Sequence, residues 1–328
     1  MRAAKGPISL SGKIPFPEYF LNWYETYKKP NISERTQRTY IHAHHVLKNY
    51  FSDYPINDIT RQNYQKFLSD YGMHHSKATI SKINSLIHAC VKSALYDDAV
   101  KKDFIQNTNL VFDKDRTQKI EYLSMSDLTK LVTFLHQTLN PHFTAKYMIL
   151  LAIFTGMRLG EIQGLKWDDI NSNFKTITIK RSWHEGLKIF KDTKNESSKR
   201  VIRVNDDILN ILSQLDHSTE QVFINQYGTI PTSSAVNKTL KESLKDCGIN
   251  RNGFHFHSLR HTHVAFLLYN NIDLYVISKR LGHKDMTTTI RVYSYLIDEY
   301  KTKTDQQIEK VLNSLEIGAS NNHSVVPK

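Results

Sequence analysis

The chain has 328 residues, 40% of them apolar and 23% charged, the composition of soluble globular protein and enough length for two domains. Its longest apolar run, Tyr147–Phe154, is far shorter than the roughly 20 residues that cross a bilayer, and the N-terminal residues hold no apolar signal core, so neither a membrane span nor secretion is expected. With 44 Lys+Arg against 32 Asp+Glu the net charge is +12, and residues 1–120 and the remainder are each basic, as expected if both meet a polyanion such as DNA.

Residues 1–15, with Gly6, Pro7, Gly12 and Pro15, have no periodicity and read as an extended N-terminal arm. From Phe16 the pattern turns helical, with Phe20, Trp23, Tyr24 and Tyr27 at i, i+3, i+4 and i+7. Ser33 caps a second helix through Tyr40, Val46, Leu47 and Tyr50. Thr60 caps a third, with Tyr64, Phe67, Leu68 and Tyr71, and Gly72 stops it. A fourth is predicted from about Lys77 to Ala99, with Ile80, Ile83, Ile87, Val91 and Ala94 on one face. Residues 16–112 therefore form a helical unit, and the polar, unpatterned residues 113–121 form a linker.

A second unit, residues 122–315, opens on a helix started by Ser124 or Ser126, and Pro141 precedes a helix that is apolar nearly all round and marks the buried centre. The period then changes to two, which predicts strands at Thr176–Ile179, Leu187–Phe190 and Arg200–Val204. Helices follow at about 206–215, 233–247, 258–270, 273–281, 287–296 and 298–314, and residues 316–328 read as a disordered tail. Cys90 and Cys247 are expected as buried thiols rather than a disulfide or metal pair, which fits a cytoplasmic chain. The fold class is mainly α with a small antiparallel β-sheet, a helical domain followed by an α+β domain.

The chemistry-bearing residues lie in this second unit. Arg158, just past Gly156 at a helix start, suits an anion, although a plain surface pair with Glu161 three residues on explains it equally. His257 and Arg260 share a helical face, a guanidinium for phosphate oxygens beside a ring that exchanges protons near neutral pH. His255, His257, His261 and His263 also raise zinc, but no cysteine or acidic cluster accompanies them and the spacing fits no usual ligand set. His261 and His263 are expected to be packing or surface groups. Lys194 lies in the polar turn between two strands, where a solvated hairpin lysine is the bland reading and Lys191, Lys199 and Arg200 crowd the same loop as alternatives. Tyr293, one of 17 tyrosines, attracts attention only through its company, with Tyr295 two residues on. No Gly-x-x-x-x-Gly-Lys-Ser/Thr or Gly-x-Gly-x-x-Gly loop and no carboxylate cluster is present, so the expected phosphate chemistry relies on cationic side chains without ATP, metal or other cofactor.

Thr155-Gly-Met-Arg-Leu-Gly-Glu161, Thr193-Lys194, His257-Ser-Leu-Arg-His-Thr262, Leu281-Gly-His283 and Tyr293 follow one another in an order that resembles the tyrosine recombinases of the phage-integrase type. The resemblance covers about residues 16–315 and implies a helical core-binding, SAM-like domain ahead of the catalytic domain. It implies that Tyr293 attacks the scissile phosphate to leave a 3′-phosphotyrosyl link and a free 5′ hydroxyl. Arg158 and Arg260 then hold the non-bridging oxygens, Lys194 protonates the leaving oxygen, His257 assists proton transfer, His283 hydrogen-bonds the phosphate, and Glu161 steadies the site. It further implies specific double-stranded DNA sites as partners, a homotetramer in the synapse, accessory DNA-bending or excision factors, and work at the nucleoid. Tyr293 falls ten residues after His283, a spacing associated with integrases of temperate phages and conjugative elements. Only some fifteen residues precede the first helix, where many such integrases carry an arm-binding domain. Two other readings stand beside integration and excision: a type IB topoisomerase-like enzyme that nicks and relaxes one duplex, and a DNA-binding regulator without catalysis.

Overall fold

Every long helix of the N-terminal unit starts at a hydroxyl. The computed structural model describes residues 13–116, 120–192, 196–283, 285–287, 289, 290, 293, 309, 310 and 312. The chain divides into two compact units, Met1–Lys119 and Ile120–Lys328.

In the first unit, α1 (Phe16–Trp23) runs into a π-helical turn (Tyr24–Lys28) and is followed by α2 (Glu34–Phe51), α3 (Arg61–Gly72) and α4 (Lys77–Tyr96). Ser33, Thr60 and Ser76 accept from backbone N–H groups of the first turns, and Asn63 returns a bond to the Thr60 N–H at 3.0 Å. The apolar stripes meet in an aromatic core in which Phe16, Phe20, Tyr64 and Phe67 have no exposed surface. Most rings there pack edge-on or tilted, Phe16 lying 5.7 Å from Phe104 and Phe67 5.4 Å from Tyr64, while Tyr24 stacks on Tyr40 at 5.1 Å. The fourth helix ends at Tyr96 rather than Ala99, because Asp98 takes a positive φ and the chain turns.

The second unit is built around α6 (Ala145–Thr155), whose residues Tyr147–Ala152 have no exposed surface. A helix apolar all round needs partners on all sides. Here these include α5 (Met125–Gln137), α7 (Leu159–Gln163), α8 (Asp206–Leu212), α9 (Ser233–Asp246) and α10 (Phe256–Tyr269). The last described long helix is α11 (Leu274–Leu281), capped by Asp273. Ser124, rather than Ser126, caps α5.

The strands are β1 (Ile170–Asn171), β2 (Thr176–Ile179), β3 (Arg181–His184), β4 (Ile189–Asp192) and β5 (Arg200–Arg203). They form an antiparallel sheet in the order β1-β2-β5 and a separate β3-β4 hairpin. Ile177 pairs with Ile202 and Ile179 with Arg200, so the alternation buries all three isoleucines. Sequence periodicity missed β1 and β3 and shifted β4. Arg181–His184 is half-buried at every position and shows no alternation. Leu187 and Lys188 form the turn instead of strand, with Leu187 N–H donating to His184 O at 3.2 Å.

The first of the predicted helices in this region stops at Leu212 rather than residue 215, and α10 begins at Phe256, ahead of Ser258. Cys90 is buried, whereas Cys247 is only partly so, and both are free. Lys194, Tyr295, the arm through residue 12, the tail from residue 316 and most of the helices expected at 287–296 and 298–314 lie outside the described residues.

Candidate active site

Two left-handed glycines shape the pocket. Gly156, at φ +68°, ends α6 and turns the chain so that its carbonyl faces α10. A Cβ there meets the His263 ring at 2.7 Å and Leu281 at 2.9 Å, so no larger residue fits. Gly282, at φ +69°, ends α11 with Ser197 O and the Arg200 side chain 2.9 to 3.1 Å from where a Cβ stands. Each glycine lies within two residues of a candidate functional residue, Arg158 and His283.

Arg260, on α10 and 2% exposed, reaches both turns. Its Nη1 donates to Gly156 O at 2.7 Å, and its Nη2 to Leu281 O at 2.7 Å and His283 Nε2 at 2.9 Å. Because a guanidinium only donates, His283 Nε2 is the acceptor and Nδ1 carries the hydrogen. That Nδ1–H donates to Thr289 Oγ1 at 2.6 Å, which donates to Ser278 Oγ at 3.0 Å. Thr289 and Ser278 are both buried, and together they fix the tautomer and plane of His283.

Arg158 stands at the N-terminus of α7. Its Nη1 meets Glu161 Oε1 at 2.8 Å, and its backbone N–H donates to Glu161 Oε2 at 3.0 Å. Glu161 is 4% exposed and also takes both guanidinium nitrogens of Arg200, at 2.9 and 3.3 Å. Burial pushes the Glu161 carboxyl up, but Arg200 and Arg158 outweigh it and hold it below the usual carboxylate range. Arg200 is anchored further through Ser198 O at 2.9 Å and Arg280 O at 2.7 Å. The surface-pair reading of Arg158 is thus half of the geometry: the pair exists, on a buried carboxylate shared with a second arginine.

The pocket carries excess positive charge, with the guanidiniums of Arg158, Arg200 and Arg260 around the single carboxylate of Glu161. Burial, with Arg158 beside it, lowers the Arg260 pKa to about 9, which leaves it protonated at neutral pH. Burial and the neighbouring Arg260 lower His283 to about 4, so the ring is neutral. Such a site attracts an anion that accepts many hydrogen bonds.

Tyr293 has 1% exposure and packs with Val264, Ala265, Ile277 and Leu281. Its hydroxyl lies 2.8 Å from Nδ1 of His261, not of His257. Burial raises the phenol to about 12 against the pull of Arg260 and Arg158. His257 keeps an open edge and meets the His261 ring edge-on at 5.0 Å. Desolvation, then Arg260, push its pKa down. His263 is a structural group: Nδ1 donates to Ile153 O at 2.8 Å and Nε2 accepts from Arg280 Nε at 3.1 Å. Among the described residues no group of three or more potential metal ligands converges.

The structure therefore brings Arg158, His257, Arg260, His283 and Tyr293 to one pocket, while Lys194 lies outside the described residues. Sequence reading named Arg200 only among the basic residues near Lys194 and missed its contact with Glu161, as it missed the contact made by His261. Arg200 left a signal, since period two sets it on the same face as buried Ile202, and an inward arginine requires a buried anion. His261 left none beyond its position beside Arg260.

The profile of the phage integrase family matches residues 121–299, more than half of the chain, and that of the phage integrase N-terminal SAM-like domain matches residues 15–71. The chain is 27% identical over 298 residues to the integrase of Staphylococcus phage L54a, covering 81% of this chain and 84% of that protein. It is 24% identical over 322 residues to the ICEBs1 integrase of Bacillus subtilis (strain 168), covering 92% and 83%. Its fold resembles the Tn1549 transposon integrase solved with circular intermediate DNA, at a TM-score of 0.75 and 16% identity over 90% of this chain and 99% of that one.

Proposed function

The chain belongs to the phage integrase family, and from that premise we propose that it is the site-specific recombinase of a mobile element. It cleaves and rejoins DNA strands through a 3′-phosphotyrosyl intermediate during integration, excision or both. One observation carries the reading: three guanidiniums surround a single buried carboxylate beside a tyrosine hydroxyl that feels two of them.

The geometry of the pocket supports the following roles, Lys194 apart, whose role rests on the resemblance alone. Arg158 and Arg260 hold the non-bridging oxygens of the scissile phosphate and stabilise the charge that grows on them during attack. His283, locked by Thr289 and Ser278, accepts from Arg260 through Nε2 and orients that guanidinium; to hydrogen-bond the phosphate itself it takes a proton on that nitrogen when the anion enters. Glu161 and Arg200 keep Arg158 in place. His257, at the open edge, assists proton movement, and Lys194 is the acid for the leaving 5′ oxygen. Tyr293 Oη forms the bond to phosphorus. The phosphotyrosyl bond conserves the energy of the broken phosphodiester, so an exchanged 5′ hydroxyl reseals the strand by the reverse step.

Specific double-stranded DNA is the partner, and two strand exchanges between two duplexes call for a homotetramer, with accessory DNA-bending or excision factors setting direction. Binding by lysine and arginine to phosphates makes affinity fall steeply with salt. Among the described residues no helix is long and apolar enough to cross a membrane; work on DNA places the enzyme in the cytoplasm at the nucleoid.

The test is a nicked suicide duplex bearing the junction between the element and its host DNA. Tyr293→Phe binds this duplex but forms no covalent adduct; an adduct that persists in Tyr293→Phe and disappears in Tyr295→Phe shows another nucleophile. Lys194→Ala slows cleavage, and a 5′-bridging sulfur restores it; no rescue assigns the acid elsewhere. Supercoil relaxation without exchange between two sites would favour a topoisomerase.

A further inference from the structure

We propose that His261 is a catalytic base of this site, taking the phenolic proton of Tyr293 through Nδ1 as Oη attacks phosphorus. The inference deepens the recombinase reading and rests on Tyr293 being the nucleophile. Helix α10 sets His257 and His261 one turn apart on one face, with their rings edge-on at 5.0 Å. Only His261 reaches the hydroxyl: Nδ1 lies 2.8 Å from Oη, with ring centroids 5.5 Å apart. That is hydrogen-bond reach, the first requirement for a base.

A base is needed because Tyr293 is a buried phenol with its pKa near 12, so almost none of it is ionised at neutral pH. In the step, the Oη–P bond forms, the P–O5′ bond breaks with its electron pair on O5′, and O5′ takes a proton from the general acid. The Oη proton moves to Nδ1 and leaves His261 as imidazolium; religation returns it. The pocket also gates this transfer. Burial, then His257, Arg260 and His255, hold His261 down to about 4, so without DNA it resists becoming a further cation beside Arg260. A phosphodiester brings negative charge into the pocket, offsets that repulsion and makes the imidazolium tolerable. Proton transfer is thereby tied to occupancy by DNA.

The test is single-turnover adduct formation on the same nicked junction duplex between pH 6 and 9, with gel shift as the measure of binding. His261→Asn keeps a hydrogen-bonding group near Nδ1 but no basic nitrogen. It is expected to bind the duplex and to cleave on the order of 100-fold more slowly at pH 7. Its rate should climb about tenfold per pH unit, as solvent hydroxide replaces the base, while the unsubstituted enzyme stays flat. Added imidazole should restore His261→Ala. A rate within about threefold of the unsubstituted enzyme and an unchanged profile, with Tyr293→Phe inactive, overturns the role of His261 alone. An adduct persisting in Tyr293→Phe overturns the nucleophile and this inference together. If His261→Asn fails to bind the duplex, His261→Gln is judged by the same rate and pH criteria.

Discussion

The core of the helical unit and the pocket of the second unit are both densely buried, yet they are held by different physics. In the first, rings and aliphatic chains meet without charge: Leu47, Phe67 and Ile87 have no exposed surface and are held by apolar contact. In the second, Glu161, Arg260, His263, Ser278 and Thr289 are also buried, and each is satisfied by directed hydrogen bonds. The first kind of burial depends on volume, the second on charge and direction. An apolar core tolerates replacement at constant volume, whereas a buried ionic network tolerates little, because each lost partner strands a charge.

The largest break in that contrast comes at Glu161. Glu161→Gln preserves volume and removes the charge that holds Arg200 and Arg158, and a buried pair broken on one side costs about 3–5 kcal/mol. The matched change in the first unit, Leu47→Met, costs less than about 1.5 kcal/mol. Urea unfolding separates the two, since Trp23 reports on the first unit and Trp167 and Trp183 on the second. Equal losses from the two substitutions, or a Glu161→Gln protein that unfolds at the original midpoint, would defeat the comparison.

Acid gives an intermediate effect with the same asymmetry. Burial lowers His263 to about 3 and His261 to about 4, so both rings are neutral when folded, whereas the unfolded chain protonates them below its ordinary 6.5. The unfolded state then binds more protons, so stability is complete above pH 6.5 and falls as the pH descends toward 4. Glu161, held below the usual carboxylate range, adds a further loss at lower pH. In the helical unit burial lowers His44, and Asp103 is held down by His88 and two backbone N–H groups, so a weaker loss is expected there, with the carboxylate's share below pH 4. The signals of Trp167 and Trp183 should collapse at a higher pH than that of Trp23. Coincident acid transitions would contradict this.

The same division explains what was legible in the chain. Ser33, Thr60 and Ser124 act on N–H groups three residues away, so their helices could be placed from local pattern. The apolar run of α6 marked the centre of the second unit for the same reason. Arg158, Arg260, His283 and Tyr293 could be named through a family resemblance, but of their connections only the local pair of Arg158 with Glu161 could be. Glu161 meets Arg200 39 positions on, Arg260 meets Gly156 104 positions back, and His261 meets Tyr293 across 32. No periodicity encodes such pairings. Strand β3 escaped because a half-buried hairpin carries no alternation.

The smallest expected effect separates a cap that supports a helix from a cap that supports chemistry. Thr60 Oγ1 accepts from the Asn63 N–H at 3.2 Å at the start of α3. Ser258 Oγ accepts from the His255 N–H at 3.3 Å at the start of α10, two residues before Arg260. Replacing Thr60 by alanine removes an N-cap and costs about 1 kcal/mol, and replacing Ser258 removes the returning half of the capping box at His255. The kinetic consequences should differ. Thr60→Ala loosens only its own helix, so adduct formation on the nicked duplex stays within about twofold. Ser258→Ala frays the turn that aligns His257, Arg260 and His261, and a small misplacement of reacting groups is costly, so cleavage falls by about tenfold or more. Equal rates in the two variants would mean that α10 is held by Arg260 and the buried face of Leu259 rather than by its cap, and the contrast between local and directed support would then end at the helix terminus.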